Sequence, residues 1–124
     1  SLPLDHALST LITDLHERGL SDKILVVVTG EMGRTPRINK NGGRDHWGNI
    51  TPLLLSGGGL RMGQIIGQSS RDGGEPGTEP LRPENLYGTI MNTLFDLGEL
   101  RLSRSAPTEL LQKIAAWDPI PGLM

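Results

Sequence analysis

The sequence predicts an α/β fold in which helices pack against a mostly parallel sheet. Residues 23–29, KILVVVT, form a β-branched run without polar alternation, which is typical of a parallel strand buried on both faces. An amphipathic segment precedes this run directly. A helix that leads into such a strand is the second half of a β-α-β unit, and its first strand would lie upstream of Ser1. We therefore expect residues 1–124 to be a single domain that is the C-terminal fragment of a larger one.

The elements follow in order along the chain. A helix is predicted over residues 3–18 from six apolar positions at helical spacing, with Gly19 as its C-terminal stop. A second buried strand is predicted over residues 52–56, closed by the glycines of residues 57–59. Residues 60–67 are predicted to add a short strand that contains residues 64–66. Residues 68–80 are rich in Gly, Ser, Glu and Pro, which predicts an exposed loop that contributes nothing to the core.

Two further helices are predicted near the C-terminus. The first opens at residues 83–85, carries Leu86, Ile90, Leu94 and Leu97 as its apolar stripe, and stops at Gly98. The second follows residues 105–107 and carries Leu110, Leu111, Ile114 and Ala115. Residues 118–124, which include two prolines, are predicted to be extended.

Composition excludes several classes of partner. The formal net charge is −2 and no basic stripe is present, so we expect no nucleic-acid partner. No apolar run is long enough to span a bilayer. The chain has no cysteine, which excludes a disulfide framework and a thiolate nucleophile but does not indicate a compartment.

The chemically interesting residues lie in the aperiodic segment 30–50. This segment follows the first predicted strand, and ligands of open α/β sheets bind beyond the carboxyl ends of strands. Carboxylate and imidazole groups suit a divalent metal, while guanidinium groups match phosphate or sulfate oxygens. The candidate metal ligands are Glu31, Asp45 and His46, and the candidate anion-binding residues are Arg34, Arg37 and Arg44.

Each of these residues also has a plain structural interpretation. Glu31 would pair with Arg34, and Arg44 with Asp45, as solvated salt bridges of little energetic value. Asp45 would cap a turn, His46 would bond to backbone, and Trp47 would be a packing residue. No serine follows the pattern of an activated nucleophile, so no catalytic residue is assigned.

Three motifs carry a resemblance to a known family: residues 25–37, LVVVTGEMGRTPR; residues 43–47, GRDHW; and residues 55–60, LSGGGL. The chain resembles an uncharacterised bacterial sulfatase-like family, domain of unknown function 1501, within the alkaline-phosphatase-like superfamily. The resemblance implies a partial three-layer sandwich with a mostly parallel sheet between helices. It further implies that the chain is the C-terminal part of a hydrolase that acts on sulfate or phosphate esters with a divalent metal such as zinc, calcium or manganese.

The resemblance also suggests residue roles. Glu31 and His46 would take the places of metal ligands, whereas Met32 departs from the pattern because a thioether is a poor ligand for a hard cation. The nucleophile of the superfamily lies in the upstream half, so we expect this chain to be inactive alone. Its substrate would be a small-molecule or polysaccharide ester. Family members often carry an export signal, which implies a periplasmic or exported parent protein.

Two hypotheses follow for the function. The first is the hydrolase part just described. The second is a superfamily scaffold that has lost catalysis and has a binding or structural role, in which Glu31 and Arg34 form a buried ion pair. A partial sheet exposes an unpaired strand edge, so we also expect self-association.

Overall fold

The computed structural model describes residues 1–102 and 107–124, and it begins with helix α1, Leu2–Glu17. Pro3 lies in the first turn, where its missing N–H costs nothing. After the helix, Gly19 adopts a positive φ of 66° and Leu20 N donates to Leu15 O at 2.9 Å, which closes the last turn. The predicted helix is thus confirmed to within one residue at each end. No residue of α1 is buried.

Two five-residue strands, β1 (Leu25–Thr29) and β4 (Leu53–Gly57), pair in a two-stranded sheet. Both strands were predicted, but neither is buried on both faces in this chain. The side chains of Val27, Leu53 and Leu54 are 36%, 37% and 39% exposed. The described residues supply no further strand to this sheet, so the three-layer sandwich stays a prediction.

The three glycines after β4 form a tight turn against the loop that precedes β1. Gly58 N donates to Ser21 O at 2.7 Å and to Ile24 O at 3.0 Å. All three glycines have positive φ, and a Cβ on Gly57 would lie 2.4 Å from Ile24 O. Only glycine satisfies both the backbone conformation and the close approach, which explains this part of the sequence.

Residues 30–50, which show no periodicity, contain a short antiparallel hairpin. Its strands are β2 (Gly33–Arg34) and β3 (His46–Trp47). The predicted strand at residues 64–66 is wrong, because no strand is present there. An isolated bridge joins Ser69 and Pro76 instead.

Helix α2 (Pro83–Leu94) is followed by the short α3 (Leu97–Leu102) and by α4 (Thr108–Ala115). Gly98 was predicted to stop a helix but lies inside α3, since the carboxylate of Asp96 accepts bonds from the N–H groups of Gly98 and Glu99 and so starts a new helix. The final predicted helix is confirmed as α4, although Ser105 and Ala106, with which its predicted lead-in begins, lie outside the described residues.

A small core forms where α2 and α4 meet the C-terminal segment. Leu60, Ile114, Ile120 and Leu123 are the buried apolar side chains of the described residues. Each such side chain contributes roughly 1.5–3 kcal/mol relative to an exposed one. The C-terminal segment is therefore not merely extended: it turns at residues 121–122 and buries Ile120 and Leu123.

Thr89 connects α2 to that segment. It is fully buried, its hydroxyl donates to Asn85 O at 2.8 Å, and the same oxygen accepts the N–H of Ile120 at 2.8 Å. Beside it, a Cβ on Gly88 would lie 2.5 Å from Trp117 O, so the backbone of the segment rests directly on the helix. A satisfied buried hydroxyl thus holds the C-terminal segment to α2.

The contacts of the chain divide it into two compact units. The first contains Ser1–Val26, Ser56–Met62 and Arg82–Met124, and it includes α1 and the small core. The second contains Val27–Leu55 and Gly63–Leu81, and it includes the hairpin. The prediction of a single domain is not tested by this division. Within the described residues, no helix has both the length and the hydropathy that a bilayer crossing requires.

We predict that Thr89→Val lowers the free energy of unfolding by about 1–3 kcal/mol, because the isosteric side chain leaves the buried N–H of Ile120 without an acceptor. Urea denaturation would measure the change. The matched control is Thr93→Val, since the Thr93 hydroxyl donates to Thr89 O within the same helix. Equal effects of the two variants would contradict the role of Thr89.

Candidate functional site

The β2–β3 hairpin brings together two residues that lie twelve positions apart. Its register pairs Arg34 with His46 and Gly33 with Trp47. Directly opposed residues of an antiparallel pair project from the same face, with Cβ atoms about 4.5–5.5 Å apart. The side chains of Arg34 and His46 therefore project from one face of the hairpin, and that of Trp47 projects from the other.

The hairpin requires a glycine at position 33. Gly33 is buried, and a Cβ there would lie 1.8 Å from Ile50 O and 2.9 Å from Trp47 O. Both neighbours are backbone atoms, so no side-chain rotation would relieve the clash. The backbone of residues 47–50 approaches β2 this closely because position 33 has no side chain.

Asn39 organises the turn between the two strands. Its Oδ1 accepts the N–H groups of Asn41 at 3.0 Å and Gly43 at 3.1 Å, while its Nδ2 donates to Asp45 Oδ1 at 2.9 Å. A short amide side chain that bonds its own turn in this way replaces backbone partners that a loop lacks. One carboxylate oxygen of Asp45 is thereby engaged in the fold of the loop.

Thr35 and Arg44 close the base of the turn. Thr35 N donates to Asp45 O at 3.0 Å, and Asp45 N donates to Thr35 Oγ1 at 3.1 Å. The Nη1 of Arg44 donates to Thr35 O at 2.6 Å and also to Pro36 O. This part of the guanidinium holds backbone carbonyls rather than facing outward for an anion.

A distant segment is attached to β3. Trp47 Nε1 donates to Gly74 O at 2.6 Å, and Asn49 Nδ2 donates to Glu75 Oε1 at 2.5 Å. Gly74 is buried. Residues 68–80 were predicted to contribute nothing to a core, and none of them is among the buried apolar side chains. The segment still has a structural role, because the half-buried indole of Trp47 needs an acceptor and the Gly74 carbonyl provides it.

Asp72 lies in the same segment. The hydroxyl of Ser70 donates to Asp72 Oδ1 at 2.7 Å and the N–H of Gly74 at 3.2 Å. These bonds, the Ser70 hydroxyl first, lower the pKa of Asp72, and the positive charge of Arg37 contributes a smaller effect in the same direction. Asp72 therefore stays ionised at neutral pH.

All six predicted site residues lie on the surface of the second unit: Glu31, Arg34, Arg37, Arg44, Asp45 and His46. Arg44 and Asp45 are partly engaged in the loop, as described above. In the described residues, no hydrogen bond or ion pair engages the side chains of Glu31, Arg34 or His46. The predicted pairs of Glu31 with Arg34 and of Arg44 with Asp45 are not formed, and the buried form of the first is wrong because both residues are exposed.

The proposed metal ligands are not brought together by this chain. Across residues 1–102 and 107–124, no group of three His, Asp or Glu side chains is placed so that it could hold a metal ion. A site with only one or two of these donors would lack the ligand number that zinc or calcium takes in proteins. Glu31, Asp45 and His46 therefore do not fit a metal as a set within this segment.

Several residues that shape the site were missed by the sequence analysis. Asn39 carried a usable signal, because the stretch Asn39 to Gly43, NKNGG, is rich in turn-forming residues. The bond from Trp47 to Gly74 carried none, since it joins positions 27 residues apart in two aperiodic segments.

A comparison of the chain with known protein families found a matching family model. The family model described as protein of unknown function, DUF1501, matches residues 2–100. The chain therefore belongs to this family. No match was found among curated proteins or solved structures.

We predict that Gly33→Ala lowers the free energy of unfolding by more than about 3 kcal/mol. Overpacking a core costs about 1–3 kcal/mol even where side chains can move aside, and at this position the backbone itself would have to move. Urea denaturation and the indole N–H resonance of Trp47 would report the loss. Gly48→Ala is the matched control, because a Cβ on Gly48 has nothing within 4 Å. Comparable losses in the two variants would contradict the close approach at Gly33.

Proposed function

We propose that this chain supplies the anion-binding part of a hydrolase site for sulfate or phosphate esters, within a larger domain of the alkaline-phosphatase-like superfamily. The observation that carries the proposal is the cross-strand pair of Arg34 and His46, whose side chains share one face and have no partner among the described residues. The chain alone is inactive under this proposal, because the nucleophile belongs to the upstream half.

The chemistry of the pair suits an oxyanion. A guanidinium presents a planar fork of N–H donors that matches two oxygens of a sulfate or phosphate group. The adjacent imidazole adds a donor to a third oxygen. Such donors stabilise negative charge as it develops on the ester oxygens, and the strand register fixes the backbone positions from which the two side chains extend. Arg37 contributes less, since Asp72 lies within its electrostatic range.

A divalent metal belongs to the proposal only for the full-length protein. Because Glu31, Asp45 and His46 do not form a set of three here, the remaining ligands would come from outside residues 1–124. The proposal does not choose among zinc, calcium and manganese as the ion. Such an ion supplies Lewis-acid stabilisation of the ester oxygens when it is bound.

A non-catalytic scaffold is the second candidate function. It is favoured by the engagement of Arg44 and Asp45 in hydrogen bonds of the loop, and by Met32 at a position where relatives of the superfamily carry an imidazole. In this case the hairpin is a structural feature of an exported binding protein, and the ester chemistry is absent.

Substitution of Arg34 tests the anion site. Arg34→Ala is expected to weaken the binding of inorganic sulfate to the chain by roughly tenfold or more, since hydrogen bonds to charged groups contribute about 1.5–3 kcal/mol. Titration followed by the His46 ring resonances would measure it. Arg71→Ala is the matched control, because Arg71 is an exposed arginine of the same unit and no side-chain bond to it is present among the described residues. Equal affinity in wild type and Arg34→Ala would sink the proposal.

The metal content of the full-length protein separates the two candidate functions. In the full-length protein, elemental analysis is expected to find a stoichiometric divalent metal that is lost, together with esterase activity, in His46→Ala. The control His16→Ala changes an exposed histidine of α1 and is expected to keep both. Absence of metal and activity from the wild type would favour the scaffold.

A further inference from the structure

One face of the hairpin is attached to a distant segment of the chain by hydrogen bonds. His46 and Trp47 are consecutive in β3, so their side chains extend from opposite faces. His46 lies on the face of the candidate anion site with Arg34, and Trp47 lies on the face that meets residues 74–75. The indole bond to Gly74 O is short, at 2.6 Å, and its acceptor residue is buried.

A second bond reinforces the first. Asn49 Nδ2 donates to Glu75 Oε1 at 2.5 Å, so two side chains that lie two positions apart reach adjacent residues of the distant segment. Residues 70–75 are themselves ordered by local bonds: Ser70 N donates to Glu75 O at 2.8 Å, and Glu75 N donates to Ser70 Oγ at 3.0 Å. The acceptors that Trp47 and Asn49 use therefore lie on a preorganised loop.

These bonds limit where His46 can lie. A hairpin with only two residues per strand has few ladder bonds and is marginal on its own. Because the peptide between His46 and Trp47 is planar, the two residues move independently only by rotation about their own φ and ψ angles. Holding Trp47 from behind therefore keeps His46 in register with Arg34.

We propose that Trp47 is a positioning residue for the anion site: its indole N–H, bonded to Gly74 O and supported by the Asn49–Glu75 bond, holds His46 beside Arg34. Trp47 itself does not touch the anion. This inference rests on the proposed function for the identity of the ligand, but not for the placement of His46.

The experiment uses Trp47→Phe in the full chain, which keeps an aromatic ring and removes the N–H donor. Two readouts are recorded well below the unfolding temperature. The first is the nuclear Overhauser effect between the His46 ring and the Arg34 side chain without ligand, which is expected to be lost. The second is the dissociation constant of inorganic sulfate, which is expected to rise about fivefold, the equivalent of one net hydrogen bond.

Matched variants separate positioning from stability. Trp117→Phe changes a tryptophan of the other unit, which packs at a tilt against Tyr87 with ring centroids 5.6 Å apart, and is expected to leave both readouts unchanged. Glu75→Ala is expected to weaken sulfate binding, whereas Glu75→Gln keeps an amide oxygen as acceptor for Asn49 and is expected to restore it. A merely structural role would lower thermal stability in Trp47→Phe and leave the sulfate affinity of the folded protein unchanged.

Each outcome decides one proposal. Retention of the Overhauser effect and of sulfate affinity in Trp47→Phe would overturn the positioning role. A wild-type chain that binds no sulfate, combined with loss of the Overhauser effect in Trp47→Phe, would overturn the anion-binding function while the positioning of His46 by Trp47 stands.

Discussion

The candidate site depends on the close backbone approach that Gly33 permits. Because position 33 has no side chain, the carbonyl groups of Ile50 and Trp47 can approach β2, where a Cβ would lie 1.8 Å and 2.9 Å from their oxygen atoms. That approach lets two residues per strand form a hairpin in a segment with no hydrophobic period. The register of the hairpin then decides which side chains meet, and it places Arg34 opposite His46. A slip of one residue would put the two side chains on opposite faces.

The charged residues of this segment divide into two groups by what their atoms already contact. Arg44 and Asp45 bond to carbonyl and amide groups of the turn, and so they contribute to the shape of the loop. Arg34, Glu31 and His46 have no such partner among the described residues, and their donors and acceptors face water. Sequence alone could not separate the groups, because Arg34 and Arg44 occur in equally polar surroundings. Only the fold shows that one arginine is used to build the loop that presents the other.

Regular elements were predictable from sequence and irregular ones were not. The periodicity before Gly19 and after Pro83 indicated α1 and α2, and β-branched residues indicated β1, because these signals repeat over many positions. The hairpin, the start of α3 at Asp96 and the bond from Trp47 to Gly74 each depend on one or two contacts between aperiodic residues. Such contacts leave no pattern to read. Burial of β1 was overestimated, since the apolar composition of a strand indicates that it can be covered and not what covers it.

The arrangement also bears on the choice between a catalytic and a structural role. A hairpin that served only to fold the loop would have no need for a guanidinium and an imidazole paired on its outer face, since cross-strand pairs that stabilise a sheet are aromatic, β-branched or of opposite charge. Arg34 and His46 are none of these. Under the proposed function, an anion between them accepts hydrogen bonds from both sets of donors. We therefore propose that the pair serves a bound oxyanion rather than the stability of the hairpin.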